Sequence, residues 1–239
     1  MPKFAVYFTP RPEDPFYQLG SQILGYDVRR RQTVTMPTNV SAGLGEFDTA
    51  WVAKSRRFGF HLTVCDALDC DLATIPAVER RLADLLACFN PASTLTLQRS
   101  SEKPVGIWPS GEAYCLALLY QPNVTLAMLH ALLVGCINPL GKGSVYVRQY
   151  LTGERSFQPH AAQQVRLFSS PTILDNWTPH FTLLNPYSGA DAAAMATRLA
   201  LLAQAFPTVT IESLCLLVQE DHEADWFIHR ELELNPGIR

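Results

Sequence analysis

Two short stretches share a pattern that constrains the fold of this chain more than any other feature. In "RRFGFHLTVCDAL" (Arg56–Leu68), Phe58, Phe60, Leu62 and Val64 alternate with Gly59, His61, Thr63 and Cys65. In "TPHFTLLNPY", His180 and Thr182 flank Phe181. Alternation at a period of two marks a strand with one buried face, so the spacing predicts one strand over 56–68 and another around His180. Each presents a histidine beside a threonine on its less apolar face. Threonine alone needs no explanation there, since it favours strands. With six histidines in the chain, two matches to H-x-[ST] by chance are not rare, so the order of elements around them has to carry weight.

That order partly repeats. Phe4–Phe8 reads as a first strand. "DPFYQLGSQILG" carries helix signals: Asp14 as N-cap, Pro15 at the first helical position and Gly25 as the stop. Residues 26–50 lack a clean period and predict a long loop. "IPAVERRLADLLACFN" places Val78, Leu82, Leu85, Leu86 and Phe89 on one helical stripe. "STLTLQ", "VGIWP" and "AYCLALLY" are strand candidates, and "TLAMLHALLVGC" is a helix. Residues 138–160 predict a polar, Gly-rich loop or lid, and "AAQQVRLF" a short helix. After the second H-x-T strand come a helix ("DAAAMATRLALLAQAF"), a strand ("TVTIESLCLLVQ") and a last strand ("DWFIHRELEL"). Each H-x-T strand is thus followed by a helix and then strands, a weak internal duplication. The expected fold is α+β, one bilobal domain over 1–239. Its two pseudo-symmetric lobes of mainly antiparallel sheet, with outer helices, face each other across a central cleft to which each donates one H-x-T strand.

Composition narrows the function classes. Apolar residues make up 48% and charged residues 17%, enough for a real core. A net charge of −3 supplies no field for long nucleic acid. The six cysteines are scattered with no C-x-x-C, which fits reduced, buried thiols in a cytoplasmic protein. "MPKFAVYFTP" has no signal-peptide pattern, and no apolar run approaches the ~18 residues of a membrane span. His130 (apolar helix), His160 (polar loop), His222 ("QEDHEAD") and His229 (last strand) show no metal-ligand spacing. The expectation is therefore no metal, no cofactor, no membrane and no obligate protein partner.

The two H-x-T pairs suit phosphoryl chemistry. Two imidazoles with ordinary pKa near 6.5 can hold opposite protonation states near neutrality, one as base and one as acid. The hydroxyls of Thr63 and Thr182 can donate to the phosphate oxygens. Around them, Arg56 and Arg57 could meet a phosphate or stay solvated. "SVYVRQYLTGER" offers Tyr146, Arg148 and Tyr150 at alternate positions, either a base- or sugar-phosphate-binding face or an exposed hairpin. Trp177 could stack on a base or plug the core.

With His61-Leu62-Thr63 and His180-Phe181-Thr182 in hand, the chain resembles the two-histidine (2H) phosphoesterase superfamily. "FAVYFTPRPEDPFYQLGSQILGYD" and "RRFGFHLTVCDAL" are similar to the opening and first motif of a bacterial branch whose genes often accompany phosphonate metabolism. The resemblance implies that the first strand, with Tyr7 and Thr9 near its end, runs beside the cleft. It implies a metal-independent cyclic phosphodiesterase acting on a small nucleotide or sugar phosphate, with His61 and His180 catalytic. The alternatives are a 2′,5′-type RNA ligase or RNA end-processing enzyme, which makes an RNA end a possible partner, and a non-catalytic nucleotide-binding protein.

Overall fold

The first helix starts where its chemistry dictates. The Asp14 side chain accepts the Phe16 N–H at 2.8 Å, Pro15 occupies the first position, and Gly25 closes the helix at φ +69°. The computed structural model describes residues 1–89 and 95–234. Asn90 of the expected helix and Ser93–Thr94 of the expected strand lie outside them.

The first part of the chain forms β1 (Lys3–Phe8), α1 (Pro15–Leu24), a small hairpin of β2 (Tyr26–Asp27) and β3 (Gln32–Thr33), α2 (Thr38–Leu44), β4 (Leu62–Asp69), α3 (Ile75–Cys88), β5 (Thr96–Arg99) and β6 (Val105–Ser110). Then follow β7 (Ala113–Pro122), α4 (Val124–Ile137), α5 (Val145–Thr152), α6 (Pro159–Phe168), β8 (His180–Tyr187), α7 (Ala192–Leu202), β9 (Thr208–Thr210), β10 (Ser213–Gln219) and β11 (Phe227–Glu233). No single helix among the described residues is long and apolar enough to cross a membrane.

Among the described residues, nine strands form one antiparallel sheet in the order β11-β10-β1-β4-β8-β7-β5-β9, with β6 also on β7. One lobe is β11-β10-β1-β4; the other is β8-β7 with β5, β6 and β9. Among the described residues, their strands pair at a single point, where Leu62 of β4 faces Phe181 of β8. The duplication is β1-α1-β4-α3 against β7-α4-β8-α7, one strand and one helix longer than the H-x-T strands alone suggest. The helices are exchanged: α1 packs under β8, and α4 under β4. Each half of the sequence therefore covers the other half's motif strand, and neither lobe is complete without both.

Several expectations need correction. Residues 56–61 are not strand. Arg56–Phe58 make a 3₁₀ turn and Gly59 sits at φ +69°, so the strand begins at Leu62. Residues 26–50 hold the β2–β3 hairpin and α2, whose Val40 and Leu44, one turn apart, bury against the core. Seven residues are too few to show a helical period. Residues 138–160 are largely helical too, because Ser144 caps α5 by accepting the Tyr146 and Val147 N–H groups. "TVTIESLCLLVQ" breaks into β9 and β10 at Ile211–Glu212.

The main core lies on the face of β4 and β8 opposite the histidines, and a smaller cluster around Tyr7, Val28, Leu217 and Trp226 lies apart from it. Phe181, fully buried, is ringed by Phe60 (4.9 Å between centroids, stacked), Phe16 (4.9 Å), Tyr120 (5.6 Å) and Phe8 (6.2 Å). Gly20 of α1 lets this cluster close: a Cβ there would lie 2.1 Å from Cδ2 of Phe60. Gly→Ala inside a helix ordinarily stabilises by about 1 kcal/mol, whereas overpacking a core costs about 1–3 kcal/mol. Gly20→Ala should therefore lower the urea midpoint and, through Phe60, disturb His61. An unchanged or raised midpoint would show that the Phe60 ring yields freely.

Candidate functional site

Extending the register of the Leu62–Phe181 pair places His61 across from Thr182, and Thr63 across from His180. All four lie on one face, about the pseudo-two-fold at that pair, and all four are half-buried. The imidazoles are held alike. His61 Nδ1–H donates to the Gly59 carbonyl at 2.9 Å, and His180 Nδ1–H to that of Thr178 at 2.7 Å. A carbonyl can only accept, so each Nδ1 carries the proton and each Nε2 is left as the chemically open nitrogen. Burial pushes both pKa values down, that of His61 to about 4, and the neighbouring His180 adds to the shift of His61.

Beyond Leu62 the strands part, and β4 exposes carbonyls that β8 no longer meets. Trp177 Nε1–H donates to Thr63 O at 3.1 Å, and His130 Nδ1–H to Val64 O at 2.9 Å. The two rings stack at 4.0 Å and 6°. His130 Nε2 accepts the Leu174 N–H at 3.2 Å, so this imidazole is used at both nitrogens, and burial lowers its pKa to about 4. On the other lobe, the Ser55 hydroxyl donates to Leu183 O at 3.1 Å. This matches the His130 bond, since Val64 and Leu183 each lie three residues beyond their histidine.

The register of β4 on β1 slips twice, between Phe4 and Val6 and between Val6 and Tyr7. Strict alternation would turn Asp66 into the core with Leu62, Val64 and Leu68. The bulges instead bury Val64 and Cys65 together and release Asp66 to the His61 face. A pocket of about 750 Å³ opens there. Thr63, Asp66, Trp108, His130, Tyr146, Arg155, Trp177, Thr178 and His180 contribute to its wall.

No family model matches this sequence. The chain is 26% identical over 225 residues to ribose 1,5-bisphosphate phosphokinase PhnN of Laribacter hongkongensis, over 92% of this chain and 48% of that protein. It thus spans about half the length of the curated relative it matches. Among solved structures it is similar to a phosphoesterase (14% identity, 98% of both chains, TM-score 0.49) and to E. coli LigT complexed with 3′-AMP (14%, 98% of both, 0.48). It is also similar to Kluyveromyces marxianus Usb1 with uridine monophosphate (10%, 97% of both, 0.38).

The structure brings some of the singled-out residues to the pocket and leaves others away from it. Thr63, His180, Tyr146 and Trp177 line it. His61 lies beside it under Tyr7, whose ring stacks on the imidazole at 4.0 Å and 16°. The His180 ring instead meets Trp108 edge-on, at 5.1 Å, so the two imidazoles differ in cover. Thr182 sits against Cys115 of β7. Arg57 donates to the carbonyls of His222 (2.5 Å) and Ala224 (3.1 Å) and holds the loop that seats Trp226; Arg56 reaches Thr33 at 3.2 Å. Arg148 does not share a face with Tyr146 and Tyr150 as expected: on α5, alternate residues diverge, while the two tyrosines, four residues apart, stay on one side. Arg148 and Tyr150 are exposed. Asp66 and Arg155 escaped the sequence reading: Asp66 needs the bulges, and Arg155 belongs to a loop folded back so that its guanidinium lies over Tyr146 (5.7 Å) and Phe157 (4.9 Å). Among the described residues, no group of three or more His, Cys, Asp or Glu is arranged to hold a metal ion.

The lowered imidazole pKa values have a stability consequence. Between about pH 6.5 and 4 the unfolded chain protonates His61 and His130 while the folded chain does not, so stability falls as pH drops through that window, by about 1.4 kcal/mol per pH unit per proton. Asp66, raised by burial, acts in the opposite sense. His130→Gln should make the pH slope of unfolding free energy shallower by about one proton. An unchanged slope would mean that folded His130 is charged in that range.

Proposed function

We propose that the chain is a metal-independent phosphoesterase of the two-histidine kind, hydrolysing a cyclic phosphodiester of a nucleotide or phosphorylated sugar. The observation that carries this reading is the pair of imidazoles related by the Leu62–Phe181 two-fold, each with its Nδ1 proton given to the carbonyl two residues back. One Nε2 takes a proton from water as its oxygen bonds to phosphorus. The other, protonated, gives its proton to the sugar oxygen as the phosphorus–oxygen bond of the ring breaks. Thr63 and Thr182 hold the nonbridging oxygens, where charge concentrates.

Because burial leaves both imidazoles neutral near pH 7 in the free protein, the acid acquires its proton with the anionic substrate. The negative phosphate favours imidazolium and raises the pKa on binding. The pocket volume of about 750 Å³ falls within the range of small-ligand sites, about 300–1,000 Å³, which favours a small phosphate over an extended RNA end. A phosphorylated ribose is the second substrate reading, since the curated relative is named for acting on ribose 1,5-bisphosphate.

With 2′,3′-cyclic nucleotides, His61→Ala and His180→Ala should each lower turnover by about 10²–10⁴. Thr63→Ala and Thr182→Ala should lower the rate without moving the pH profile. The acid limb of kcat should lie at higher pH than that of kcat/KM, and activity should survive EDTA. Near-normal turnover in either histidine variant, or loss of activity in EDTA with rescue by zinc, would refute the mechanism.

A further inference from the structure

The two-histidine scheme makes no use of Asp66, yet its surroundings are those of a recognition group. It lies on β4 three residues beyond Thr63, hence within about 10 Å along the strand, and the bulges turn both into one pocket. The Ser170 hydroxyl donates to Oδ2 of Asp66, and Ser170 Oγ itself accepts the Thr172 N–H at 3.2 Å. The carboxylate is thereby fixed from behind. Among the described residues, no lysine or arginine forms an ion pair with it. A carboxylate offers about four acceptor positions, and the Ser170 bond uses one. The remaining capacity is oriented and set in the cavity.

The walls describe the group that would meet it. Trp177 is locked by its stack on His130 and its bond to Thr63 O, and Tyr146 and Trp108 add further aromatic surface. Such walls suit a planar heterocycle. A carboxylate suits two N–H donors side by side, the arrangement on the N1–H and 2-amino edge of guanine. In a 2′,3′-cyclic nucleotide both ring hydroxyls are bound to phosphorus, which leaves the base as the donor-rich part.

We infer that Asp66 is a specificity residue that accepts hydrogen bonds from the guanine edge of a bound nucleotide lying along the Trp177 wall. The inference rests on the phosphoesterase reading for the place of the phosphate, near Thr63 and His180.

Calorimetric titration of the full chain with 3′-GMP, 3′-IMP (which lacks the 2-amino group), 3′-UMP and ribose 5-phosphate tests it. The wild type should bind 3′-GMP roughly 10- to 100-fold tighter than 3′-IMP, the usual worth of such a contact. Asp66→Asn should erase that ratio and weaken 3′-GMP more than ribose 5-phosphate. Ser170→Ala, which loosens the carboxylate without replacing it, should narrow the ratio. Equal affinity for 3′-GMP and 3′-IMP in the wild type, a ratio that persists in Asp66→Asn, or equal loss for ribose 5-phosphate would overturn the inference. Turnover of 2′,3′-cyclic GMP separates it from the reading it rests on. A wild type that prefers 3′-GMP through Asp66 but hydrolyses nothing refutes the phosphoesterase alone. Turnover that depends on His61 but shows no base preference refutes the inference alone.

Discussion

The arrangement depends on one buried contact, the Leu62–Phe181 pair with the aromatic cluster beneath it. Phe181 touches rings from β1, α1, the turn before β4, and β7. Burying a phenylalanine is worth about 1.5–3 kcal/mol, and each favourable ring pair adds about 0.5–1.5 kcal/mol. This is large beside the single residue pair by which the two motif strands join. The side chains that hold the lobes together therefore lie back to back with those proposed to do chemistry. The strand period that buries Leu62 and Phe181 turns His61, Thr63, His180 and Thr182 the other way.

A join this short has a cost, which the structure meets with side chains. Where β4 and β8 separate, carbonyls on both strands lose their ladder partners. On β4, Trp177 and His130 cap Thr63 and Val64; on β8, Ser55 caps Leu183. Separation of the strands makes room for the pocket, and the caps keep the separated strands in place. The same residues thus serve stability and shape. The bulges of β4 act in the same place: they abandon alternation just past the motif and so admit Asp66 to the cavity.

Much of the fold is written locally. The Asp14–Pro15 start and Gly25 stop of α1 need only neighbouring residues, because capping is short-range physics. The stripe of α3 is legible for the same reason, and Val78, Leu82 and Leu86 are indeed buried. Alternation likewise marks β8 and the start of β4 and which of their faces is apolar, although the same pattern runs back over Arg56–His61, where the chain makes a 3₁₀ turn instead. The misread segment at 144–152 shows the limit. Its Val, Tyr and Val suggest strand by propensity, but Ser144 caps a helix there, and a two-residue spacing that aligns side chains on a strand spreads them around a helix.

By itself, then, the sequence determined the chemistry available at the site and the faces of its strands, since residue identity and periodicity are properties of the chain. Only the tertiary structure decided who meets whom: that His61 lies across from Thr182, that His130 and Trp177 cap β4, that Arg57 holds the 222–226 loop, and that Asp66 faces the cavity. Each of these depends on register, on bulges or on contacts between residues far apart in the chain. The apolar pattern of a strand fixes which face is buried, but not which strand it pairs with, where a bulge interrupts it, or which of the registers that keep that face it adopts.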